Sequence, residues 1–386
     1  MSTLAGFIDG TMGSLTVLLS FLFVLTVVVF IHELGHFMVA RWCGVDVKTF
    51  SIGFGKEIFG FDDRYGTRWR VAWIPLGGYV KFMDDENAAS VPSREAIDNM
   101  TADQRAGSFH AKPLWQRAAV VAAGPIANFL LAITIFALMF SIVGIRTTEA
   151  RVDEVMPGMP AAVAGFKTGD VITDIEGRKI DSFNDVLRVI GTSPDRDLNV
   201  GIDRDGKKMT LVVRPKLQEH TDNFGNKHQR GVIGIKRMTT PQSVELRRAG
   251  PIEAVALGVK ETQFIITSTL SYLYDVVTGR QKADQLGGPI RIAEVSGQVA
   301  KVGFEALLQL IAVISVSVGL INLFPIPLLD GGHLLYYAAE AVMRRPLSER
   351  VQEIGFRIGL AVVLMLMVFA TLNDLPILKK WLSWIG

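Results

Sequence analysis

The chain has 386 residues, 49% of them hydrophobic, and a formal net charge of +2 at pH 7. This composition is typical of a membrane protein with a sizeable polar portion. A charge so close to zero does not indicate a nucleic-acid partner. The one cysteine, Cys43, excludes an intramolecular disulfide and a cysteine-rich zinc site.

Four apolar segments are each long enough to cross a bilayer as a helix. They are residues 15–40, 117–144, 304–329 and 355–373. The first is too long for a cleavable signal peptide and has no preceding Lys or Arg, so we expect it to stay in the mature chain. Lysine and arginine are concentrated after the first and third segments, as is typical of cytoplasmic loops. We therefore expect residues 41–116 and 330–354 in the cytoplasm and residues 145–303 outside.

A further apolar stretch, residues 252–278, carries four charged residues. They are Glu253, Lys260, Glu261 and Asp275. This density of charge is typical of an amphipathic helix that lies along a membrane surface, so we predict an interfacial helix here and not a fifth span. Residues 236–303 are assigned to a linker that contains it.

The first apolar segment contains His32-Glu33-Leu-Gly-His36. Histidines four positions apart lie on one face of a helix, so both imidazoles can reach one cation. In an HExxH motif the glutamate is not a ligand but takes a proton from the attacking water and later returns it. The alternative is a pair of histidines satisfied by neighbouring side chains. Burying three such groups in a span without a metal is costly, which favours a metal site.

Two histidines fill half of a tetrahedral shell, so a catalytic zinc site needs a third protein ligand. Asp330 is the candidate, because Pro325 and Pro327 interrupt the helix before it and broken backbone at membrane depth is tolerated where it lines a cavity. With four spans, the third runs in the same direction as the first. Asp330 then lies on the cytoplasmic side, like His32 and His36. An aspartate that merely caps a helix is the alternative.

Asn322 precedes Asp330 by eight residues and faces the same cavity if this part of the chain is partly extended. Its amide can hydrogen-bond substrate backbone or a developing oxyanion, or it can form a bond between helices. Both interpretations remain open. We assign no chemistry to residues 123–128 of the second span, because glycine and proline are common where membrane helices pack closely. Residues 304–386 form a C-terminal membrane part.

Residues 51–82 predict a β-hairpin on the cytoplasmic side, with a turn at Gly77 and Gly78. A strand edge near the membrane can pair with an unwound substrate segment by β-addition. The alternative is a hairpin that simply packs on the helices. Together with the first two spans, this hairpin belongs to an N-terminal membrane part, residues 1–147.

Residues 148–235 predict a small soluble α+β domain of short strands, turns and one helix. The order Pro160-Ala, then Gly165-Phe-Lys-Thr-Gly-Asp170, then Ile172 resembles a PDZ domain, which usually binds chain termini or strands along a groove. The predicted fold class is therefore a polytopic α-helical membrane protein with four transmembrane helices, a membrane-associated β-hairpin and one soluble α+β PDZ-like domain.

The HExxH motif in a first span, with Asn322-Leu-Phe-Pro-Ile-Pro-Leu-Leu-Asp330-Gly at the end of a third, resembles the site-2 protease family of intramembrane zinc metalloproteases, and most closely its RseP type. The resemblance covers nearly the whole chain. It extends to Ser51–Lys56, Pro75–Val80, Trp115–Asn128, the PDZ-like domain and Leu286–Pro289. The best-known RseP-type members carry two tandem PDZ domains, whereas this chain has room for one.

The resemblance implies a role for each site residue. The implied ligands of a Zn²⁺ ion are His32, His36 and Asp330, with Glu33 as general base. The implied substrate-binding residues are Asn322, Gly77 and Gly78, the two glycines as part of a hairpin that clamps an unwound substrate strand. The implied setting is a bacterial inner membrane with the PDZ-like domain on the periplasmic side.

The implied substrates are membrane-spanning proteins of the anti-sigma factor type, with remnant signal peptides as a second class. The competing interpretation is not an enzyme: it is a membrane scaffold with a PDZ module, or a metal carrier that uses the same three ligands. A carrier has little use for Glu33 beside an open coordination position, so we favour the protease.

Overall fold

The computed structural model describes residues 2–84, 100–221, 227–238, 245–283 and 286–385. The chain divides into two compact units. The first, here the helical unit, comprises Met1–Phe136, Gly258–Thr269 and Lys282–Gly386. The second, here the sheet unit, comprises Ala137–Leu257 and Leu270–Gln281.

The elements follow one another in this order. The N-terminal part contains α1 (Ser2–Trp42), β1 (Val47–Asp62), β2 (Arg68–Phe82), α2 (Ala102–Gly107) and α3 (Leu114–Leu138), which continues as a π-helical turn, Met139–Val143. The middle contains β3 (Ile145–Thr147), β4 (Glu154–Val155), α4 (Pro160–Ala164), β5 (Val171–Ile175), β6 (Arg178–Lys179), α5 (Phe183–Gly191), β7 (Leu198–Arg204), β8 (Lys207–Val213), β9 (Lys216–Thr221), β10 (Lys227–Val232), β11 (Ile235–Lys236) and β12 (Glu245–Arg247). The C-terminal part contains α6 (Pro251–Val277), α7 (Pro289–Val302), α8 (Phe304–Asn322), α9 (Asp330–Met343) and α10 (Glu349–Ile385).

Four helices of the described chain are long and apolar enough to cross a membrane, as predicted. They are Ser14–Trp42, Leu114–Val143, Phe304–Asn322 and Arg350–Leu375. The helix α6 is not among them. Some of its apolar side chains are nevertheless exposed: Ile252 is 89% and Val277 86% exposed. Its interfacial location stays a prediction.

The third span is shorter than predicted, because α8 ends at Asn322 and not at residue 329. Pro325 and Pro327 cannot donate backbone hydrogen bonds, so the chain turns here before α9 begins. Gly331 and Gly332 at the start of α9 lie against backbone carbonyls of residues 323–326, where a Cβ atom would overlap with them. The chain thus turns tightly after α8, and α9 begins at Asp330.

Both long strands bend, so β1 and β2 together form four paired rows and not the two rows of a simple hairpin. Thr49 in β1 pairs with Arg68 on one side and with Lys81 on the other. The rows therefore run in the order 78–82, 47–52, 68–72 and 57–62. Gly53 permits the bend in β1, with φ +89°, and Gly77 permits the bend in β2, with φ +148°.

The predicted Gly-Gly turn is wrong in position. Gly77 and Gly78 lie inside β2, and the turn that joins β1 to β2 is at residues 63–66, where the Gly66 N–H donates to the Asp63 carbonyl at 3.0 Å. The sheet packs on α1 through aromatic side chains. Phe50 lies 4.4 Å from Trp69 and 5.5 Å from Phe37, measured between ring centroids.

The last spanning helix, α10, forms hydrogen bonds with the start of α7. The carboxylate of Asp374, fully buried in α10, accepts hydrogen bonds from the backbone N–H groups of Gly288 at 3.0 Å and Arg291 at 3.1 Å. The neighbouring Asn373 amide donates to the Ala283 carbonyl at 2.8 Å. The two bonds to Asp374 satisfy N–H groups at the first turn of α7, which has no side-chain cap of its own.

The sheet unit has its own core. A four-stranded antiparallel sheet in the order β6-β5-β7-β8 packs with α5. The core residues extend from Ala150 to Ile235, and Val152, Ile175, Val186, Val200 and Ile202 are completely buried. One ion pair is buried beside this core. The Asp170 carboxylate accepts two hydrogen bonds from Arg204, at 2.7 and 2.8 Å, and one from the Lys167 N–H at 2.8 Å.

Replacing Asp170 with asparagine should destabilise the sheet unit by about 3 kcal/mol, because it leaves a partly buried Arg204 without its partner. Burial raises the pKa of Asp170, but the bonds from Arg204 and Lys167 outweigh it and hold the pKa below its usual range. The stabilisation is therefore present above about pH 4 and is lost as the pH falls through the lower folded-state pKa. Hydrogen exchange of the β5 and β7 amides in the full-length protein measures this.

Asp197 offers a matched control for that variant. Its carboxylate accepts two bonds from Arg214 at the same 2.7 and 2.8 Å, but both side chains are about 60% exposed, at 59% and 61%. Exposed pairs contribute about 0–1 kcal/mol, so Asp197→Asn should change exchange little. Equal effects of the two variants would contradict the role given to burial.

Candidate active site

Three donor atoms from two distant parts of the helical unit converge at one point. The Nε2 atoms of His32 and His36 lie 3.2 Å apart. The Oδ2 atom of Asp330 lies 3.3 Å from the first and 3.6 Å from the second. His32 and His36 come from α1 and Asp330 from the first residue of α9, so the site closes only when α1 and α9 meet.

The donor atoms have the spacing that a tetrahedral zinc site requires. Zinc bonds to nitrogen and oxygen of about 2.0–2.1 Å, at tetrahedral angles, place neighbouring ligand atoms about 3.3–3.4 Å apart. The three observed separations of 3.2, 3.3 and 3.6 Å agree with this value. The Oδ2 atom of Asp330 is also buried and accepts no hydrogen bond from any residue in the described part of the chain. A buried carboxylate oxygen without a donor fits a cation ligand.

The orientation of the two rings is set by α3, the second spanning helix. The Nδ1 atom of His36 lies 2.8 Å from the Val120 carbonyl, which accepts its proton and leaves Nε2 free for a metal. The Nδ1 atom of His32 lies 3.2 Å from the amide of Asn128. Both ring partners are thus supplied by one face of α3.

Close packing of α1 and α3 depends on two glycines. A Cβ atom at Gly35 would overlap the Ala123 carbonyl oxygen, and one at Gly124 would overlap the His36 ring and lie 2.8 Å from Cε1 of His32. Any larger residue at either position would push the helices apart or turn the rings away. The absence of a side chain at Gly124 leaves the space that the histidines occupy.

Glu33 lies next to the ligand group and beside the strand β2. Its carboxylate accepts a hydrogen bond from the Val80 N–H. A Cβ atom at Gly78 would lie 3.1 Å from Cγ of Glu33, so the backbone of β2 passes directly over this side chain. Glu33 is half-buried.

The predicted site residues do not all have the predicted surroundings. The structure brings together His32, His36 and Asp330 and places Gly78 beside Glu33, whereas Gly77 lies one position away against the Phe54 ring. Asn322 is the half-buried last residue of α8, and the described amide that reaches the histidines is that of Asn128.

Sequence reasoning missed Asn128 and Gly124, to which it assigned no chemistry. An amide in the middle of an apolar span was the available signal for Asn128, because a polar group at that depth must find a partner. Gly124 could not be recognised in that way, because glycine is common in spanning helices for packing reasons alone.

Comparison with known proteins places this site in a family. The sequence model of Peptidase family M50 matches residues 20–366 of this chain. A protein of Agrobacterium fabrum that carries the name zinc metalloprotease is 50% identical over 355 residues, which cover 92% of this chain and 94% of the relative. The metalloprotease MmpA of Caulobacter vibrioides is 41% identical over 385 residues, covering 94% and 96%.

The protease RseP of Yersinia pestis is 32% identical over 460 residues, covering 94% of this chain and 99% of its own. With 386 residues here, that alignment contains residues of RseP that have no counterpart in this chain. The chain belongs to peptidase family M50, the site-2 protease family, and is a metalloprotease. The family resemblance seen in the sequence is thereby confirmed.

The PDZ-like interpretation of the sheet unit has weaker support. The PDZ domain of an SdrC-like protein from Listeria monocytogenes is 23% identical, covers 24% of this chain and 88% of its own, and aligns with a TM-score of 0.18. A score this low carries no argument about the fold, so the PDZ assignment stays a prediction.

Gly124→Ala should weaken zinc binding at least about tenfold, the lower end of the effects seen when groups that orient metal ligands are disturbed. The added Cβ would displace the His36 ring. Alanine favours a helix more than glycine does, so a loss would not reflect a poorer helix. Zinc affinity of the purified protein, measured by competition with a chromophoric chelator, is the readout.

Gly191→Ala in α5 serves as the control, because a Cβ there meets no atom within 4 Å. It should leave zinc affinity unchanged. If Gly124→Ala binds zinc as tightly as the control does, the space at Gly124 is not what the histidines need.

Proposed function

We propose that the protein hydrolyses a peptide bond within the transmembrane segment of membrane-protein substrates. In this proposal His32, His36 and Asp330 hold a Zn²⁺ ion and Glu33 is the general base. The observation that carries it is the set of three donor-atom separations, which match a tetrahedral zinc shell with one position left open, at a depth where uncompensated ionisable groups are costly.

The chain's own residues supply the rest of the reaction. When bound, zinc acts as a Lewis acid that polarises a carbonyl oxygen and lowers the pKa of water. Glu33 lies beside the ligand group, so its carboxylate can take a proton from the attacking water and deliver it to the leaving amine. The Val80 N–H holds this carboxylate in place.

The substrate must be unwound before it can react, because the peptide bonds of a helix are shielded. The row 78–82 is one of the two outer rows of the β1–β2 sheet, since within the described chain its strand partners all lie in residues 47–52. A substrate strand added along this edge would lie next to Gly78, and thus next to Glu33. We assign Gly77 and Gly78 to substrate binding on this ground, and retain Asn322 as a further contact because it immediately precedes the turn to Asp330.

The proposed setting is a bacterial inner membrane. The distribution of Lys and Arg favours a cytoplasmic β1–β2 sheet and a periplasmic sheet unit, which we assign to a PDZ-like domain covering residues 148–235. Substrates of the anti-sigma factor type are proposed from the family, with remnant signal peptides as a second candidate class. The relative RseP is named a protease.

Glu33→Gln should abolish cleavage of a membrane-spanning substrate, with a fall of at least about 100-fold, since general acid–base catalysis contributes about 10²–10⁴-fold. It should retain one zinc ion per chain, because Glu33 is not among the three donors. The two measurements are zinc content of the purified protein and cleavage of the substrate in proteoliposomes.

Asp330→Ala is the matched comparison and should lose both zinc and cleavage. A metal carrier or a scaffold would behave differently, because it would work as before with glutamine at position 33. Cleavage that survives Asp330→Ala would overturn the proposed site.

A further inference from the structure

We propose that Asn128 is a positioning residue of the metal site: its amide oxygen accepts the Nδ1 proton of His32 and so fixes the tautomer that presents Nε2 to the metal. This inference rests on the proposed zinc site. It assigns a purpose to a polar residue in the middle of the second span, to which the family assignment and the names of the relatives give none.

The first observation is the burial of Asn128. Its side chain is completely buried, inside the apolar helix α3. Its Nδ2 atom lies 3.2 Å from Nδ1 of His32, while its Oδ1 atom has no hydrogen-bond partner in the described part of the chain. A buried acceptor without a hydrogen bond is energetically costly. We therefore expect the Asn128 amide to place its acceptor against the polar side chain that it contacts.

The second observation is the direction in which His32 faces the site. Its Nε2 atom points to Nε2 of His36 and Oδ2 of Asp330, at 3.2 and 3.3 Å. A nitrogen that binds a metal carries no proton, so the ring proton must be on Nδ1. Nδ1–H and the Asn128 NH₂ group would then be two donors facing each other at 3.2 Å.

A half-turn of the amide removes this conflict. The oxygen and nitrogen of an asparagine side chain have nearly the same shape and are assigned from their hydrogen bonds. With the amide rotated by 180°, Oδ1 lies opposite Nδ1 of His32 and accepts its proton. Asn128 then accepts the Nδ1 proton of His32, just as the Val120 carbonyl accepts the Nδ1 proton of His36.

Asn128 is itself held by the third span. The Ser315 hydroxyl of α8 donates to the Asn128 backbone carbonyl at 2.8 Å, and Ser315 is completely buried. A Cβ atom at Gly319 would lie 3.3 Å from Cβ of Asn128, so α8 and α3 pack closely at this level. The amide therefore has little freedom to swing away from His32, and a fixed partner is what orients a metal-binding ring.

The test is the zinc dissociation constant of the purified full-length protein in detergent, measured by competition with a chromophoric chelator. Asn128→Leu has a similar shape but no acceptor, and should weaken zinc binding about 10–100-fold. Asn128→Asp keeps an acceptor oxygen and should bind zinc within about threefold of the unchanged protein, or more tightly, because a carboxylate is the stronger acceptor.

Ser317→Ala is the control for the loss of a polar group from the same part of the helical unit. The Ser317 hydroxyl donates to the Val313 carbonyl at 3.0 Å within α8, so zinc affinity should remain within about threefold when it is removed. Thermal unfolding of the zinc-free variants shows whether each has folded. If Asn128→Leu does not fold, Asn128→Ala takes its place with the same expected loss.

Zinc binding by Asn128→Leu equal to that of the unchanged protein would overturn the inference, and so would an Asn128→Asp variant as weak as Asn128→Leu. A metal carrier would give the same zinc affinities but no cleavage by the unchanged protein, so failure of the proposed proteolysis is seen separately. Failure of the proposed zinc site gives a different result. In that case the unchanged protein would bind no stoichiometric zinc at all, whatever residue is at position 128.

Discussion

Three polar side chains must share one small volume inside an apolar helix bundle, and the rest of the helical unit is arranged around this requirement. His32, His36 and Asp330 are each unfavourable at membrane depth on their own. Together they form a compact donor set with separations of 3.2 to 3.6 Å. About three hundred residues of chain separate the histidines from the aspartate, so the convergence depends on tertiary packing and not on local structure.

The second spanning helix provides none of the three donors, but it supplies the partners of both histidine rings. Its backbone carbonyl at Val120 and its amide at Asn128 face the two rings, and Gly124 leaves the space between them. The tight turn after α8 then places Asp330 beside the two histidines. A site of this kind is best described as a contact among three helices, in which one helix orients the ligands that the other two supply.

Local features of the sequence were enough to predict the four spans, the donor set and the family. The spacing of His32 and His36 is a property of one helix, and two prolines within three residues, Pro325 and Pro327, locally disfavour a continuous helix before Asp330. What could not be predicted depends on pairing between distant segments. Alternating strand residues do not reveal that β1 and β2 each bend and form four rows, which moved Gly77 and Gly78 from a turn into a strand. Nor does any local pattern show which face of α3 meets His32.

The cap that Asp374 places on α7 has a consequence for how the protein is made. The N–H groups at the start of α7 receive their acceptor from a residue more than eighty positions later in the chain. A growing polypeptide therefore contains His32, His36 and Asp330 before it contains this carboxylate. A chain whose synthesis stops shortly before position 374 has all three donors but lacks the acceptor for the first turn of α7, a helix that packs against α1.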